Sequence, residues 1–283
     1  MPELPEVETV CRGLSPVITG ARLDRVTVFE RRLRWPVELD FEDHVQGTHV
    51  RRVWRRAKYI VLDLDDASGA DQGHILWHLG MSGRVSITPA DQLPRGEEKH
   101  DHFLLVTDAG HEIVFNDARR FGSLHHVLPG ALDGHRLIKA LGPEPLSNHF
   151  SGPVLKEAFA RRATSIKQAI MDQAVVVGVG NIYASESLYR AGIHPRRKAG
   201  KVSAARLDQL AGEIKNVLRE AIEAGGSTLK DHAQVDGELG YFQHAFKVYG
   251  RDGADCLNAG CDDTIRRDVQ GGRATFYCPS CQR

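Results

Sequence analysis

The chain is predicted to adopt an α+β fold in three parts. Short strand-like runs fill residues 22 to 127, a helical period takes over after about residue 130, and two cysteine pairs bracket a glycine-turned hairpin at the end. A helix should lead the first part. Over residues 3–14, Val7, Val10, Cys11 and Leu14 share one face, acidic side chains come early, where they favour the helix dipole, and Pro16 marks the stop. Cys11 falls on that apolar face and reads as core. Strands are expected at Leu23–Phe29, Val50–Trp54, Tyr59–Leu64, His74–Leu79, Arg84–Thr88, His102–Thr107 and Glu112–Phe115. Turn clusters such as Asp65-Asp66-Ala67-Ser68-Gly69 and Asp108-Ala109-Gly110 separate them, which indicates a β-sandwich or a barrel.

In the second part, helices are expected at Leu132–Leu141, Val154–Arg161, Ile166–Val177 and Asn181–Ala191. The clearest runs from about Ser203 to Ala224, with Leu207, Leu210, Ala211, Ile214, Val217, Leu218, Ala221 and Ile222 on one face and Gly225-Gly226 as its end. The change of period places a boundary near Gly142-Pro143-Glu144-Pro145, giving expected domains of residues 1–142, 143–250 and 251–283. No internal repeat or low-complexity tract interrupts them.

Composition is that of a soluble globular protein, with 41% hydrophobic and 26% charged residues. No uncharged run approaches the ~18 residues of a membrane span, and the basic-then-apolar order of a signal peptide is missing, so a cytoplasmic location is expected. Net charge is zero, which taken as a sum argues against a nucleic-acid partner. The distribution is uneven, however. Arg31, Arg32 and Arg34, then Arg51, Arg52, Arg55, Arg56 and Lys58, then Arg161 and Arg162, then Arg196, Arg197 and Lys198 form basic clusters, balanced by acidic stretches such as Glu38 to Asp43. Part of this charge is ordinary solvated surface.

Four motifs carry chemistry. Cys256, Cys261, Cys278 and Cys281 form C-x4-C and C-x2-C separated by sixteen residues, the spacing of two turns converging on one tetrahedral metal. Two disulfides would be the rival, but a cytoplasmic chain with a fifth, helical cysteine favours one structural zinc. Four thiolates leave no open position for a catalytic water, and the hairpin between the pairs, Ile265–Val269 and Ala274–Tyr277 about Gln270-Gly271-Gly272, holds Arg273 near its tip. At the other end, removal of Met1 would leave Pro2 as a secondary amine, with a reference pKa of about 7.7–8.0 for an α-amino group, able to attack an electrophilic carbon. Glu3 beside it and Glu6 one turn on could then divide acid and base roles. Gly178-Val179-Gly180-Asn181 imitates the opening of a dinucleotide fingerprint, but Tyr183 stands at the third glycine and no βαβ unit surrounds it; a tight turn between helices, presenting backbone N–H groups and the Asn181 amide, suits a phosphate better. Finally, His78-Leu79-Gly80-Met81-Ser82-Gly83 and Asn116-Asp117-Ala118-Arg119-Arg120-Phe121-Gly122 end strand runs, and a Met and a Phe beside an Arg are residue types that wedge into a base stack, although each alone is explained by packing.

In this order, Pro2-Glu3-Leu4-Pro5-Glu6-Val7-Glu8-Thr9, Ala57-Lys58-Tyr59, His78 to Gly83, Lys99-His100-Asp101-His102, Arg119-Arg120-Phe121-Gly122, Gly178 to Glu186 and Arg273 to Cys278 resemble the bacterial formamidopyrimidine-DNA glycosylases over essentially the whole chain. The resemblance implies an N-terminal β-sandwich with its leading helix, a helix-two-turns-helix domain and a zinc ribbon. It implies a monomer acting at the nucleoid on double-stranded DNA that contains an oxidised purine, 8-oxoguanine or a formamidopyrimidine, flipped from the stack. By that resemblance Pro2 attacks C1′ and forms a Schiff base, Glu3 donates the proton, Glu6 supports the site, and elimination of both phosphates leaves a one-nucleotide gap. Lys58 would serve β-elimination and Arg273 δ-elimination, and both would bind phosphate with His78, Lys167 and Asn181. His100, Arg119 and Arg162 match further DNA contacts, Met81, Arg119 and Phe121 would fill the gap left by the flipped nucleotide, and Thr228 to Tyr241 would close over the lesion.

Two departures stand out. The first cysteine pair is C-x4-C where the family more often has C-x2-C, and Ala118 replaces a common proline. Near-zero net charge also predicts an affinity that depends on a local basic face and falls with salt. Rival readings are an endonuclease VIII-type enzyme for oxidised pyrimidines, a non-catalytic zinc-ribbon damage binder, and a Schiff-base enzyme of small metabolites. Leu4, Val7 and the long segment 228–249 favour the purine enzyme over the first, and the set Pro2, Glu3, Lys58 and Arg273 argues against the second.

Overall fold

The computed structural model describes residues 2–227 and 241–283, which form two compact units. One unit comprises residues 2–139, 224–227 and 241, and the other residues 140–223 and 242–283. Ala224 to Ser227, which the sequence places in the second domain, therefore belong with the first unit, and the cysteine hairpin belongs with the helices.

The first unit contains α1 (Leu4–Ile18), β1 (Leu23–Val28), α2 (Phe41–Val45), β2 (His49–Arg56), β3 (Tyr59–Asp65), β4 (Asp71–His78), β5 (Arg84–Thr88), β6 (Asp101–Thr107), β7 (Glu112–Asn116) and β8 (Ser123–Val127). They make two four-stranded antiparallel sheets, ordered β1-β6-β7-β5 and β2-β3-β4-β8. This settles the choice between sandwich and barrel: each sheet keeps two edges. The core takes Ile60, Leu62 and Leu64 of β3, Ile75 and Trp77 of β4, Phe103 and Leu105 of β6, and Ile113 and Phe115 of β7. These positions alternate along each strand, as a period of two requires, and each buried side chain of this size stabilises by about 1.5–3 kcal/mol. Trp77 meets Phe103 and Phe115 edge to face, with ring centroids 5.7 and 5.3 Å apart.

Helix α1 lays Val7, Val10, Cys11, Leu14 and Ile18 on this core. It runs through Pro16, beyond the expected stop. Pro16 is exposed, so the carbonyl its missing N–H leaves unpaired can be hydrated, while burial of Ile18 holds the last turn. Burial and the nearby Glu8 push the Cys11 thiol up to about 12, which makes it an inert core group.

In the second unit, α3 (Gly152–Phe159), α4 (Ile166–Ile170), α5 (Asn181–Arg190) and α6 (Ala204–Glu223) precede the hairpin β9 (Arg266–Gln270) and β10 (Arg273–Tyr277). All eight apolar positions expected on the long helix are buried in α6. The hairpin turn is Gly271-Gly272, with φ of 55° and 75°, and two positive values are what a two-residue type I′ turn demands.

Two expected helices differ. Residues 132–141 form successive turns instead, closed by His135 N–H to Leu132 O and Ile138 N–H to His135 O; Gly134 weakens a helix there and only Leu132 and Ile138 of its apolar side chains find a core. The helix expected at 166–177 ends at Ile170. Its remainder is a turn, half-buried at Met171–Gln173 and buried at Val175–Val177, organised by Gln173, whose amide donates to Met171 O and Val179 O and accepts from Gly178 N–H. Short α2 and strand β8 carry too few apolar residues to announce themselves, and both are fixed by sandwich packing.

Candidate active site and nucleic-acid interface

Pro2 is buried and followed by Glu3 and Glu6 at 3% and 2% exposure. Glu6 pins this turn. Its Oε2 accepts the Glu3 N–H at 2.8 Å, one half of a capping box, and its Oε1 accepts both the N–H and the hydroxyl of Ser227 at 2.9 and 2.8 Å. A carboxylate that accepts from three donors holds geometry, so Glu6 acts here as a positioning group more than as the acid or base considered from its spacing. Ser227 in turn bridges to Tyr241, and Gly226, at φ of 80°, lets the backbone approach Glu6 so closely that a Cβ would lie 3.3 Å from its Cγ. Of the segment expected to close over a lesion, residues 228–240 lie outside the described residues.

Lys58 follows Ala57 in the two-residue turn between β2 and β3. Ala57 has φ of 53°, a left-handed conformation that costs a non-glycine residue about 1–3 kcal/mol. Arg55 holds the turn against α1: its guanidinium binds Glu8 at 3.0 Å and donates to Ala57 O at 2.8 Å. Arg55 was visible in the sequence only as one cation in a cluster. Its role as the link between the N-terminal helix and the Lys58 turn depends on tertiary contact.

His78 ends β4, and its Nδ1 accepts the Gly80 N–H at 2.9 Å, which leaves Nε2 as the donor of the neutral ring. Burial, with the charges of Lys58 and Arg34 nearby, pushes its pKa down to about 4. This ring therefore offers a hydrogen-bond donor, Nε2–H, without adding charge at neutral pH. The unfolded reference is about 6.5, so the stability His78 contributes is complete above about pH 6.5 and is lost as the pH falls toward 4, where the unfolded chain takes up the proton first. His78→Asn should flatten the dependence of unfolding free energy on pH in that window, measured by urea titration; an unchanged slope would count against a depressed His78.

Met81, Arg119 and Phe121 gather on two adjacent loops. Met81 and Phe121 are among the exposed large apolar side chains, at 36% and 43%, and the Arg119 guanidinium stacks 4.7 Å over the Phe121 ring. Beside them is a cleft of about 650 Å³ lined by Arg32, Leu33, Arg34, Arg119, Arg120 and Phe121. Among the described residues, three non-glycine positions have positive φ: Ala57, His100 and Arg120. Each is, or adjoins, a residue singled out from the sequence, and strain of this kind collects at functional sites.

The basic clusters resolve into two kinds. Arg31, Arg32, Arg51, Arg55, Arg162 and Arg196 form ion pairs, with Glu42, Glu30, Asp65, Glu8, Asp172 and Asp268. Arg34 of those clusters forms none among the described residues and lies over the Trp35 ring; Arg119 and Arg273, which stand outside the clusters, form none there either.

In the second unit, exposed Arg273 opens β10 and, with Lys167, Gln168, Met171, Asp172, Gln270 and Gly271, lines a cleft of about 270 Å³. Lys167 is 1% exposed, and its ammonium donates to Ala274 O at 2.9 Å and Thr275 Oγ1 at 2.8 Å. Asn181, at the start of α5, donates to the same Ala274 carbonyl at 2.9 Å, while its Oδ1 has no hydrogen-bond partner among the described residues. Both residues thus fix the strand that begins with Arg273. Phosphate binding, expected of both, would be an added role for Asn181 and would require Lys167 to leave its buried partners. Arg162, expected to touch DNA, is engaged by Asp172 at 2.6 Å.

The four hairpin cysteines bring their Sγ atoms within 4.8 Å of one another, with two pairs at 3.7 Å. A disulfide needs about 2.05 Å, whereas four sulfurs about 2.3 Å from a tetrahedral ion stand about 3.8 Å apart. The donor set therefore fits a metal, C-x4-C spacing included. Tyr189 Oη lies 3.2 Å from Cys256 Sγ, a hydroxyl placed to support that ligand.

Comparison with known proteins assigns both units to one class. Residues 1–124 match the formamidopyrimidine-DNA glycosylase N-terminal domain and residues 141–233 the H2TH domain of the same glycosylases. Formamidopyrimidine-DNA glycosylases of Ruegeria pomeroyi and Paracoccus denitrificans are each 50% identical to this chain, over 288 and 292 residues, with 100% of both chains covered. The chain belongs to the formamidopyrimidine-DNA glycosylase family. Similar solved structures include a Lactococcus lactis Fpg mutant in complex with Fapy-dG-containing DNA, at 29% identity, TM-score 0.88 and 100% coverage of both chains. MutM (Fpg) from Thermus thermophilus is 35% identical, with TM-score 0.86, over 99% of this chain and 98% of that one. The α+β architecture follows the expectation, and among the described residues no helix is long and apolar enough to cross a membrane.

Proposed function

We propose that this chain excises oxidised purines, 8-oxoguanine and formamidopyrimidines, from duplex DNA and then cleaves the strand by β,δ-elimination, as a base-excision repair enzyme of the bacterial cytoplasm. The observation that carries the mechanism is the buried Pro2-Glu3 turn, pinned by Glu6 and tied through Glu8, Arg55 and Ala57 to Lys58. With Met1 removed, the Pro2 amine attacks C1′ of the damaged nucleoside, and the base departs as the C1′–N bond breaks. Glu3 supplies the proton for base departure and ring opening. The resulting iminium draws electrons from C2′, so that loss of a C2′ proton expels the 3′ phosphate, and a second elimination expels the 5′ phosphate; Lys58 and Arg273 are assigned to these steps.

His78, His100, Arg119, Asn181, Lys58 and Arg273 are proposed as DNA contacts, with the arginine-lined cleft receiving backbone phosphates. Arg162 and Lys167 act first through Asp172 and through β10. Cys256, Cys261, Cys278 and Cys281 are proposed to hold one structural zinc ion, whose chemistry is to staple the hairpin that presents Arg273.

Borohydride reduction during reaction with a duplex containing one 8-oxoguanine opposite cytosine tests the reading. A covalent adduct that maps to Pro2 is expected. An adduct formed only with an oxidised pyrimidine would select the endonuclease VIII-type activity, and tight binding without any adduct, with Met1 absent, would select the non-catalytic binder.

A further inference from the structure

We propose that Asp117 is a positioning residue that locks the two loops bearing Met81 and Arg119–Phe121 into a single rigid wedge, so that both enter the base stack together. The inference rests on the DNA-binding reading above, since a wedge needs a stack to enter.

The topology places the loops side by side. Residues 79–83 join β4 to β5 and residues 117–122 join β7 to β8, so both cross from one sheet of the sandwich to the other. Asp117 lies between them at 0% exposure. Its Oδ1 accepts the Ser82 hydroxyl at 2.5 Å and the Arg119 N–H at 3.3 Å, and its Oδ2 accepts the Gly122 N–H at 2.8 Å. Ser82 Oγ accepts the Arg119 N–H as well, at 3.2 Å. One carboxylate and one hydroxyl therefore join the first loop to the second.

The backbone of Asp117 anchors the knot to the core. Its carbonyl accepts His102 Nε2–H at 2.7 Å and Arg120 N–H at 3.2 Å, and its N–H donates to His100 O at 3.1 Å. Glycines then bring the loops into contact: a Cβ on Gly80 would lie 2.4 Å from Gly122 N and 2.5 Å from Phe121 C, both backbone atoms. Arg120, held at φ of 55°, keeps that conformation because the surrounding bonds fix it. Among the side chains that leave this clamp for solvent are Met81, Arg119 and Phe121. Arg119 is held through its own N–H, and Met81 and Phe121 sit next to the held residues Gly80, Ser82 and Gly122 while their tips are exposed, the arrangement needed to push against stacked bases without recoil.

Asp117→Asn keeps the volume but turns an NH2 group toward N–H or O–H donors, and Ser82→Ala removes the link between the loops at a less buried position. Both are tested on an 8-oxoguanine opposite cytosine, with 2-aminopurine beside the lesion to report unstacking, and on the same lesion in a single-nucleotide bulge, where no paired base has to be displaced. On the paired duplex, Asp117→Asn should slow the unstacking signal and base release by about tenfold or more, as loss of a buried charged hydrogen-bond partner implies, and on the bulge it should stay within about threefold of wild type. Ser82→Ala should lose less with the same substrate dependence, and the double variant should be no slower than Asp117→Asn alone. Equal activity of Asp117→Asn and wild type on the paired duplex would overturn the proposal, and so would an equal loss on both substrates, which marks a general folding defect. Wild type that releases no base from either substrate would instead remove the glycosylase reading, and the wedge with it.

Discussion

Glu3→Gln should bind a lesion duplex within about threefold of wild type and release the base roughly 10²- to 10⁴-fold more slowly, the range lost when a positioned general acid is removed. Glutamine keeps the size of the side chain and an acceptor for the helix cap, and the Glu3 N–H stays on Glu6, so the turn at Pro2 is preserved while the transferable proton is lost. Cleavage at a preformed abasic site, from which no base departs, should fall much less. Single-turnover assays on both substrates separate the two steps. Equal losses would move Glu3 from proton donor to structural cap.

Cys278→Ser should reduce zinc from one equivalent per chain to a small fraction, measured by elemental analysis, and weaken binding to lesion duplex by about tenfold or more. The hairpin has little core of its own, namely Tyr189, Val248, Ile265 and Phe276 with Cys256 and Cys278. A cluster this small cannot offset the entropy of ordering the segment, whereas structural zinc contributes about 10–16 kcal/mol in zinc-finger peptides. Arg273 would then lose the β10 strand that presents it. The sandwich has a separate core and should unfold as before; a variant that kept its zinc or its full affinity would contradict the role given to the hairpin.

Local chemistry made several features legible. Alternation placed the strands that carry the sandwich core, the 3.6-residue period placed α6 and its buried face, and cysteine spacing marked four thiols that do converge as a metal site requires. Legibility failed where a local preference lost to packing or to a polar side chain. Pro16 lies inside α1 because Ile18 is drawn into the core, and the second half of the helix expected at 166–177 is a turn because Gln173 satisfies its backbone. The site was readable in its residue types, less so in their tasks. Lys167 and Arg162 have the charge of phosphate ligands, yet one is buried on β10 and the other paired with Asp172.

The sequence by itself determined the α+β class and the four-cysteine hairpin, because each depends on spacing within a short stretch, and it singled out the N-terminal Pro2-Glu3 turn for the role proposed above. Tertiary structure decided which arginines are ion-paired, that the His78 pKa is depressed, and that Glu6, Arg55 and Asp117 hold other groups in place. Their partners lie 221, 47 and 35 residues away in sequence. A carboxylate or guanidinium acquires such a role only when folding brings its partners together and excludes the water that would otherwise take their place.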